Sequence, residues 1–368
     1  MNRAAVPEFD PGGDFTVGVE EELMLVDSAG ELLGAPAAPL VHSLSGATQL
    51  HGLVTGEIYA DQVELNSPVC VRAEDVVHHL RCLRMLVADH GARAMAVGVH
   101  PSASVGTAVI VPSPRYDAIA DEYAGLLRTP TAAVQVHVGL PDSATAMRAY
   151  RGLRARLSVL GALAAGTPHW HGLDSGLASA RLAIIRSYPR TTVAPLLRSW
   201  DEYVTRTELL MAAAEVPDHT YTWWDLRPRP ELGTLEVRVM DAQTSLARVA
   251  GLTALVQGIA RHAVMTPDPE ELSDDVIAVN GHRVLRHGLD ARVVDVDATM
   301  RPLREIAGRT VSQARKVLAP DGLDAPLEVV ERMLLEPGEP ARQRHLVAAG
   351  GMPALLADLV ARTADVSG

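Results

Sequence analysis

Aromatic side chains are scarce in this 368-residue chain: two Phe, four Trp and seven Tyr, or 4% of the sequence. Hydrophobic residues still make up 48%. A sizeable core is therefore available, and it must be built from Ala, Val and Leu. Cys70 and Cys82 are the only cysteines. Two cysteines imply no disulfide framework and no thiolate zinc site, and they fit a reducing cytoplasm. Basic residues are also few, with 33 Lys and Arg against 45 Asp and Glu, a net charge of −12. That balance argues against nucleic acid or an anionic membrane as partner. It does not exclude nucleotides, because metal ions bridge acids to phosphates. No run of about 18 apolar residues marks a membrane span, and residues 1–14 lack an apolar signal core. There is no Walker A sequence and no HExxH. A soluble, cytoplasmic protein is expected.

What is present begins with Phe15-Thr-Val-Gly-Val-Glu-Glu-Glu-Leu-Met-Leu-Val-Asp27, which reads as a strand. Side chains alternate on a strand. Val17, Val19, Leu23 and Leu25 share one face, Glu20 and Glu22 the other, and Glu21 breaks the apolar set. Three later stretches repeat the design: Glu57–Asn66 with Gln62 and Glu64, Ala133–Leu140 with Gln135 and His137, and Gly233–Asp241 with Glu236 and Arg238. Helices are expected at 73–90, 117–128, 143–165, 177–187 and 197–214, and through most of the chain after 245. A short buried strand is expected at 94–99, a helix and loop at 36–50, and loops at 102–116, 167–176 and 266–275. The 219–232 stretch reads as an aromatic, Pro-rich connection. Residues 1–14 form a flexible arm, and 15–365 a single domain without internal repeats.

Strands with one apolar and one polar face suit an antiparallel sheet with helices on the apolar side, an α+β fold. If the four strands neighbour one another, Glu20, Glu22, Glu64 and Glu236 converge. Two charges about 5 Å apart at an effective dielectric near 20 repel by about 3 kcal/mol. Such a surface needs cations, and carboxylates with one imidazole suit Mg²⁺ or Mn²⁺ better than zinc. Removing one of these charges should therefore spare the apo fold. Arg181, Arg186, Arg190, Arg227, Arg229 and Arg238 supply forks for phosphates and carboxylates. Acids for metal ions plus arginine clamps suggest phosphoryl transfer. Plainer alternatives stand beside each residue. His137 could be a satisfied core histidine, Glu236 a strand-face partner of Arg238, and Arg181 with Arg186 a solvated helix face. His169 and His171 are weak zinc ligands, His100 has no assigned role, and Trp223 with Trp224 suits a core. A kinase or phosphohydrolase, or a non-catalytic nucleotide-binding protein, could use the same surface.

Gly18-Val-Glu-Glu-Glu22, Gln62-Val-Glu-Leu-Asn-Ser-Pro68, Val136-His-Val-Gly139, Gly172-Leu-Asp-Ser-Gly-Leu-Ala-Ser179 and Gly233-Thr-Leu-Glu-Val-Arg238 resemble the type 2 glutamate–cysteine ligases, or carboxylate–amine ligases. The similarity runs from about residue 14 to 360, and Asn280–Leu289 resembles a later family segment. The resemblance implies a curved, mainly antiparallel sheet like the glutamine synthetase catalytic domain, binding ATP and two or three Mg²⁺ ions, with Mn²⁺ an alternative. It implies a carboxylate and an amine as substrates, joined through an acyl phosphate, and is compatible with a homodimer. It makes Glu20, His137 and Glu236 ligands of one metal, and Glu22 and Glu64 ligands of another. Arg238 stabilises the transferring phosphoryl group, with Arg181 and Arg186 as clamps. Gln62, Gln135, Arg283 and Arg286 are its cofactor-binding positions. Three departures stand out. Gln135 replaces a family His, and Leu177 and Ala180 replace family tyrosines. The resemblance therefore leads us to expect weak glutamate–cysteine ligase activity and a less polar partner.

Overall fold

The computed structural model describes residues 5–34, 37–46, 53–106, 108–267 and 271–366. Positions 1–4 of the expected arm, 36 and 47–50 of the helix-and-loop, 107, and 268–270 lie outside the described residues. In chain order the strands are β1 (Val17–Val26), β2 (Val54–Gly56), β3 (Gln62–Asn66), β4 (Arg93–Met95), β5 (Val134–Gly139), β6 (His169–Trp170), β7 (Leu173–Asp174), β8 (Leu226–Arg229), β9 (Thr234–Val237), β10 (Arg292–Val294) and β11 (Met300–Pro302). The main sheet runs β2-β3-β1-β5-β9-β8, with β4 on the end of β1. Its pairings are antiparallel. The four expected strands are thus adjacent, and their apolar positions are buried, among them Val17, Leu23, Val63, Val136, Leu235 and Val237.

The helices are α1 (Ala38–Gly46), α2 (Ala73–Asp89), α3 (Pro114–Tyr123), α4 (Ser143–Ala155), α5 (Leu157–Ala164), α6 (Ala180–Ile185), α7 (Trp200–Ala213), α8 (Leu246–Met265), α9 (Asp274–His287), α10 (Leu303–Leu318), α11 (Leu327–Leu335) and α12 (Glu339–Ala364). The fold is α+β, with α2, α4 and α8 packed against the apolar side of the sheet. The middle of α8 is buried around its whole circumference, from Val249 to Ala260, as expected of a helix wrapped by others. Gly258 lets α10 approach: an added Cβ would lie 2.5 Å from that of Ala314.

Several sequence expectations change. The single helix expected at 143–165 is two, because Arg156 leaves helical geometry at φ −109°, ψ 7°. The helix expected at 177–187 is confined to α6, whose first turn is capped by the Ser179 side chain. The Pro-rich 219–232 stretch contains β8. Pro228 lacks an N–H to donate, and β8 is an edge strand, where that lack is tolerated. The loose arm is fastened at its end: Asp10 N donates to Pro230 O at 3.0 Å and Gly12 N to Leu140 O at 3.0 Å. Gly233, at φ +60°, permits this, since a Cβ there would meet Asp10 O at 1.9 Å.

Glu21 does break the apolar face, and Arg84 of α2 answers it. The Arg84 fork grips both Glu21 oxygens at 2.5 and 2.8 Å, and its remaining donors reach the carbonyls of Gln243, Thr244 and Thr363. Removing one member of such a buried pair typically costs about 3–5 kcal/mol. By length and composition α12 could cross a membrane. Gly351, at φ 73°, ψ −177°, breaks it into two pieces. Each piece spans about 20 Å at 1.5 Å per residue, short of a bilayer's ~30 Å core.

Candidate active site

The polar face of the sheet floors a cleft of about 450 Å³. The pleat and the register together bring the acids of this face into one place: Glu20, Glu22, Glu57 and Glu64 line the cleft, and His137 and Glu236 adjoin Glu20 outside its lining. Glu22 stands opposite Glu64, Glu20 opposite Gln135, and His137 opposite Glu236. Side chains directly opposite on one face lie about 5 Å apart. Two sets of possible metal ligands result, each with its donor atoms within 4.8 Å of one another.

The first set is Glu20, His137 and Glu236. His137 Nε2 lies 3.1 Å from Glu20 Oε1, and its Nδ1 lies 2.9 Å from Thr234 Oγ1. Glu236 is fully buried yet well supplied with cations. Arg227 forks onto it at 2.8 and 3.1 Å, Arg229 reaches it at 3.4 Å, and Arg238 makes a short contact. Burial would raise the Glu236 carboxyl, but Arg227 and Arg238 hold it well below the usual range. Burial also acts to raise Glu20, and the hydrogen bond and charge of His137 outweigh it, leaving that carboxyl lowered.

The second set is Glu22, Glu57 and Glu64. Burial, helped by the charge of Glu64, pushes Glu22 up to about 7 despite Arg181. Burial and the charges of Glu64 and Glu22 raise Glu57 well above the ordinary carboxyl range. Burial and Glu20 raise Glu64 as well. The local donors are neutral. Ala133 N and Gln135 Nε2 give to Glu22 at 2.8 and 2.7 Å, while Thr55 Oγ1 and Asn66 Nδ2 give to Glu64 at 3.0 and 3.1 Å. Three hard oxygen donors that repel one another fit a divalent cation such as Mg²⁺ or Mn²⁺. The first set also fits one, through the Glu20 and Glu236 carboxylates and His137 Nε2, a buried nitrogen 3.1 Å from Glu20.

Arginines close the cleft. Arg238 makes short contacts with Gln135 and Glu236. Arg181 is 5% exposed; its Nη2 donates to Arg238 O at 3.1 Å, while its Nε and Nη1 have no hydrogen-bond acceptor among the described residues. Gln62 lines the cleft too, and its Nε2 donates to Thr131 O at 2.8 Å. Trp223 and Trp224 stand in the wall.

Other sequence candidates lie elsewhere. Arg186 forks onto Asp225 and is not in the cleft wall. Arg283 and Arg286 are exposed on α9, outside the cleft. Asn280 of the same segment braces β10, exchanging hydrogen bonds with Val294 at 2.8 and 3.0 Å. Leu177 and Ala180 are not in the cleft wall; Ala180 is fully buried. Gln135 alone of the three departures touches the cleft. His100 is structural, its Nε2 bonded to Gly30 O at 2.7 Å; His169 and His171 stand outside the cleft as well.

Sequence reasoning left Glu57 without a role, and read Arg227 and Arg229 as clamps for phosphates or carboxylates rather than as the partners of Glu236. In one continuous strand, Glu57 and Glu64 would point to opposite faces. The chain instead turns between β2 and β3, which resets the alternation and swings Glu57 to the acid side. Arg227 and Arg229 were visible as basic residues, but Pro228 hid the strand that aims them.

The model of the glutamate–cysteine ligase family 2 matches residues 16–356. The chain belongs to that family. A relative from Rubrobacter xylanophilus, named "Putative glutamate--cysteine ligase 2-3", is 32% identical over 96% of this chain and 98% of that protein. A Gloeobacter violaceus relative, of the same kind by name, is 29% identical over 94% of this chain and 96% of its own length. Among solved structures, a glutamate–cysteine ligase from Francisella tularensis in complex with AMP superposes with a TM-score of 0.74 at 12% identity. It covers 97% of this chain and 89% of that one. A bifunctional glutathione synthetase from Pasteurella multocida gives 0.73 at 14% identity, over 95% of this chain and 52% of that one. These two share the fold. As a member of the family, this glutamate–cysteine ligase family 2 protein is a ligase.

Proposed function

We propose that this protein is an ATP-dependent carboxylate–amine ligase working through an acyl phosphate. The observation that carries the reading is the pair of carboxylate sets flanked by arginines on one polar sheet face. Family membership supports the ligase class, and the AMP bound to the Francisella ligase supports use of a nucleotide. Glu20, His137 and Glu236 would hold one Mg²⁺, and Glu22, Glu57 and Glu64 another. When bound, the ions supply positive charge to phosphate oxygens. Catalysis of this kind is mostly positioning and charge stabilisation.

In the first step an oxygen of the substrate carboxylate attacks the γ-phosphorus, and the bond to the bridging oxygen breaks, releasing ADP. Arg238 is placed among the acids to stabilise the transferring group. Arg181, whose buried Nε has no acceptor among the described residues and whose Nη1 has only a 3.8 Å ion pair with Asp241, would take an anionic substrate group. In the second step the amine nitrogen attacks the acyl carbon. The carbon–oxygen bond to phosphate breaks, phosphate leaves, and the nitrogen loses a proton. Glutamate and cysteine are suggested by the relatives' names. The proposal that they are handled weakly now rests on Gln135, which carries no imidazole and is held by Glu22 and Arg238. A reducing cytoplasm suits the two free cysteines.

The test is incubation with ATP, Mg²⁺ and a panel of amino acids and amines, with products weighed by mass spectrometry. ADP, phosphate and an amide in equal amounts support the ligase. ADP with a stable phosphorylated substrate supports a kinase instead, and ADP with phosphate alone a phosphohydrolase. Efficient turnover of glutamate and cysteine at concentrations below about 1 mM, an ordinary KM range, would defeat the weak-activity part.

A further inference from the structure

A second cavity, of about 560 Å³, lies between the 174–178 segment and helices α5, α8, α9, α10, α11 and α12. It shares no lining residue with the cleft. Its wall carries seven arginines against four carboxylates, in a chain whose net charge is −12. Cations gathered in a concave site repel unless acceptors satisfy them. Glu339 does part of this. It accepts from Arg342 at 2.6 and 2.9 Å and lies 3.2 Å from Arg362 and 3.5 Å from Arg248. Burial pushes its carboxyl up, yet these guanidiniums bring it down to about 2.

Donor capacity is left over. Arg248 has a buried Nε without an acceptor among the described residues. The exposed Arg332 side chain makes no hydrogen bond or ion pair among the described residues. Arg286 is also exposed, and gives one short contact to Gly176 O. A cavity of this size accepts a small metabolite. Guanidinium forks match the paired oxygens of phosphate and carboxylate.

The wall also reaches the cleft. Arg344 holds both Asp174 oxygens at 2.9 Å and Leu177 O at 2.7 Å. Arg286 holds Gly176 O. The segment they hold runs into Ser179, whose Oγ donates to Asp241 at 2.9 Å, and into Arg181 in the cleft. An anion competing for Arg286 and Arg344 would loosen their hold on a segment that ends at a cleft arginine.

We propose that this cavity binds a small polyanion, a molecule with two or more phosphate or carboxylate groups, and that its occupancy is transmitted to the cleft through residues 174–181. The site is independent of the ligase reading, and none of its tests uses turnover. Calorimetric titration of the whole protein without divalent cations, at fixed ionic strength, takes pyrophosphate in one arm and citrate in the other. Saturable binding tighter than about 1 mM is expected in at least one arm, and the arm that binds shows whether phosphate or carboxylate is preferred. Arg286→Gln with Arg332→Gln should weaken it by about tenfold or more, the loss of charge-assisted bonds. Arg332→Gln alone, at an exposed side chain, should weaken it with an unchanged melting midpoint. The cleft variant Arg238→Lys should bind as wild type does. No saturable binding in either arm, wild-type affinity in the Arg332 variant, or loss of binding in the cleft variant overturns the site. Hydrogen exchange over 174–181 should change on saturation, and unchanged exchange overturns the coupling.

Discussion

At Glu236 both carboxylate oxygens already meet guanidinium nitrogens. At Glu57, on the same face of the molecule, the neighbouring charges are other carboxylates, Glu64 and Glu22. The two proposed metal-ligand sets therefore balance their charge differently. The first has protein cations built in, and its acids are held ionised. The second has neutral hydrogen-bond donors and carboxylate neighbours, so burial and mutual repulsion shift its acids up instead. Repulsion among acids, expected of the whole surface from sequence, belongs to the second set. At Glu236 the local problem is the reverse, with three arginines needing one acid.

The largest effect should come from Glu236→Gln. It removes a proposed metal ligand and also leaves Arg227 buried beside a neutral amide. Turnover should vanish, and the denaturant midpoint should fall by the equivalent of about 3–5 kcal/mol, the typical cost of breaking a buried pair. This revises the expectation that losing any of these charges spares the fold. Glu64→Gln should also lose turnover, yet be at least as stable as wild type at pH 8 without divalent cations. Equal destabilisation of the two variants would erase the distinction between the sets.

Arg238→Lys comes next. Lysine keeps the charge but not the planar fork. Turnover should fall by about a hundredfold, the scale of one lost transition-state donor, with ATP affinity changed much less. Calorimetry showing the two falling together would assign Arg238 to ground-state binding. Glu57→Gln should be milder. It removes one oxygen ligand, so the Mg²⁺ concentration for half-maximal activity should rise by about tenfold, with maximal turnover largely recovered at saturation. An unchanged Mg²⁺ requirement would take Glu57 out of the ligand set.

The alternation of β1, β3, β5 and β9 was legible because each strand is short, regular and one-sided. Side-chain period alone put Glu20, Glu22, Glu64, His137 and Glu236 on one face, and the antiparallel register brought them opposite one another. Glu57 was not legible, because a turn of the chain resets the alternation and sequence spacing does not show where. The strand that aims Arg227 at Glu236 was hidden by the proline beside it. Leu177 and Ala180 were overread: they belong to a recognisable motif, but of that motif only Arg181 turns into the cleft. Long-range partners such as Arg84 for Glu21 leave no local pattern, since 63 positions separate them.

The sharpest measurement is the melting midpoint between pH 5.5 and 8, with and without Mn²⁺. Glu22, Glu57 and Glu64 have folded values raised above the unfolded ones. Their contribution to stability is full below about 4.5 and is lost as pH rises through the folded values, near 7 for Glu22. Glu20 and Glu236 are shifted down, so their contribution is present above about 4.5 and stays constant over this range. The metal-free protein should therefore lose a few degrees, about 1.3 °C for each kcal/mol in a chain of this length, between pH 5.5 and 8. Mn²⁺ should restore them at pH 8 and stabilise less at pH 5.5, where only the first set has its acids held down, and Glu64→Gln should flatten this pH difference. A midpoint that rises with pH, or a Mn²⁺ effect equally large at both ends, would contradict the account.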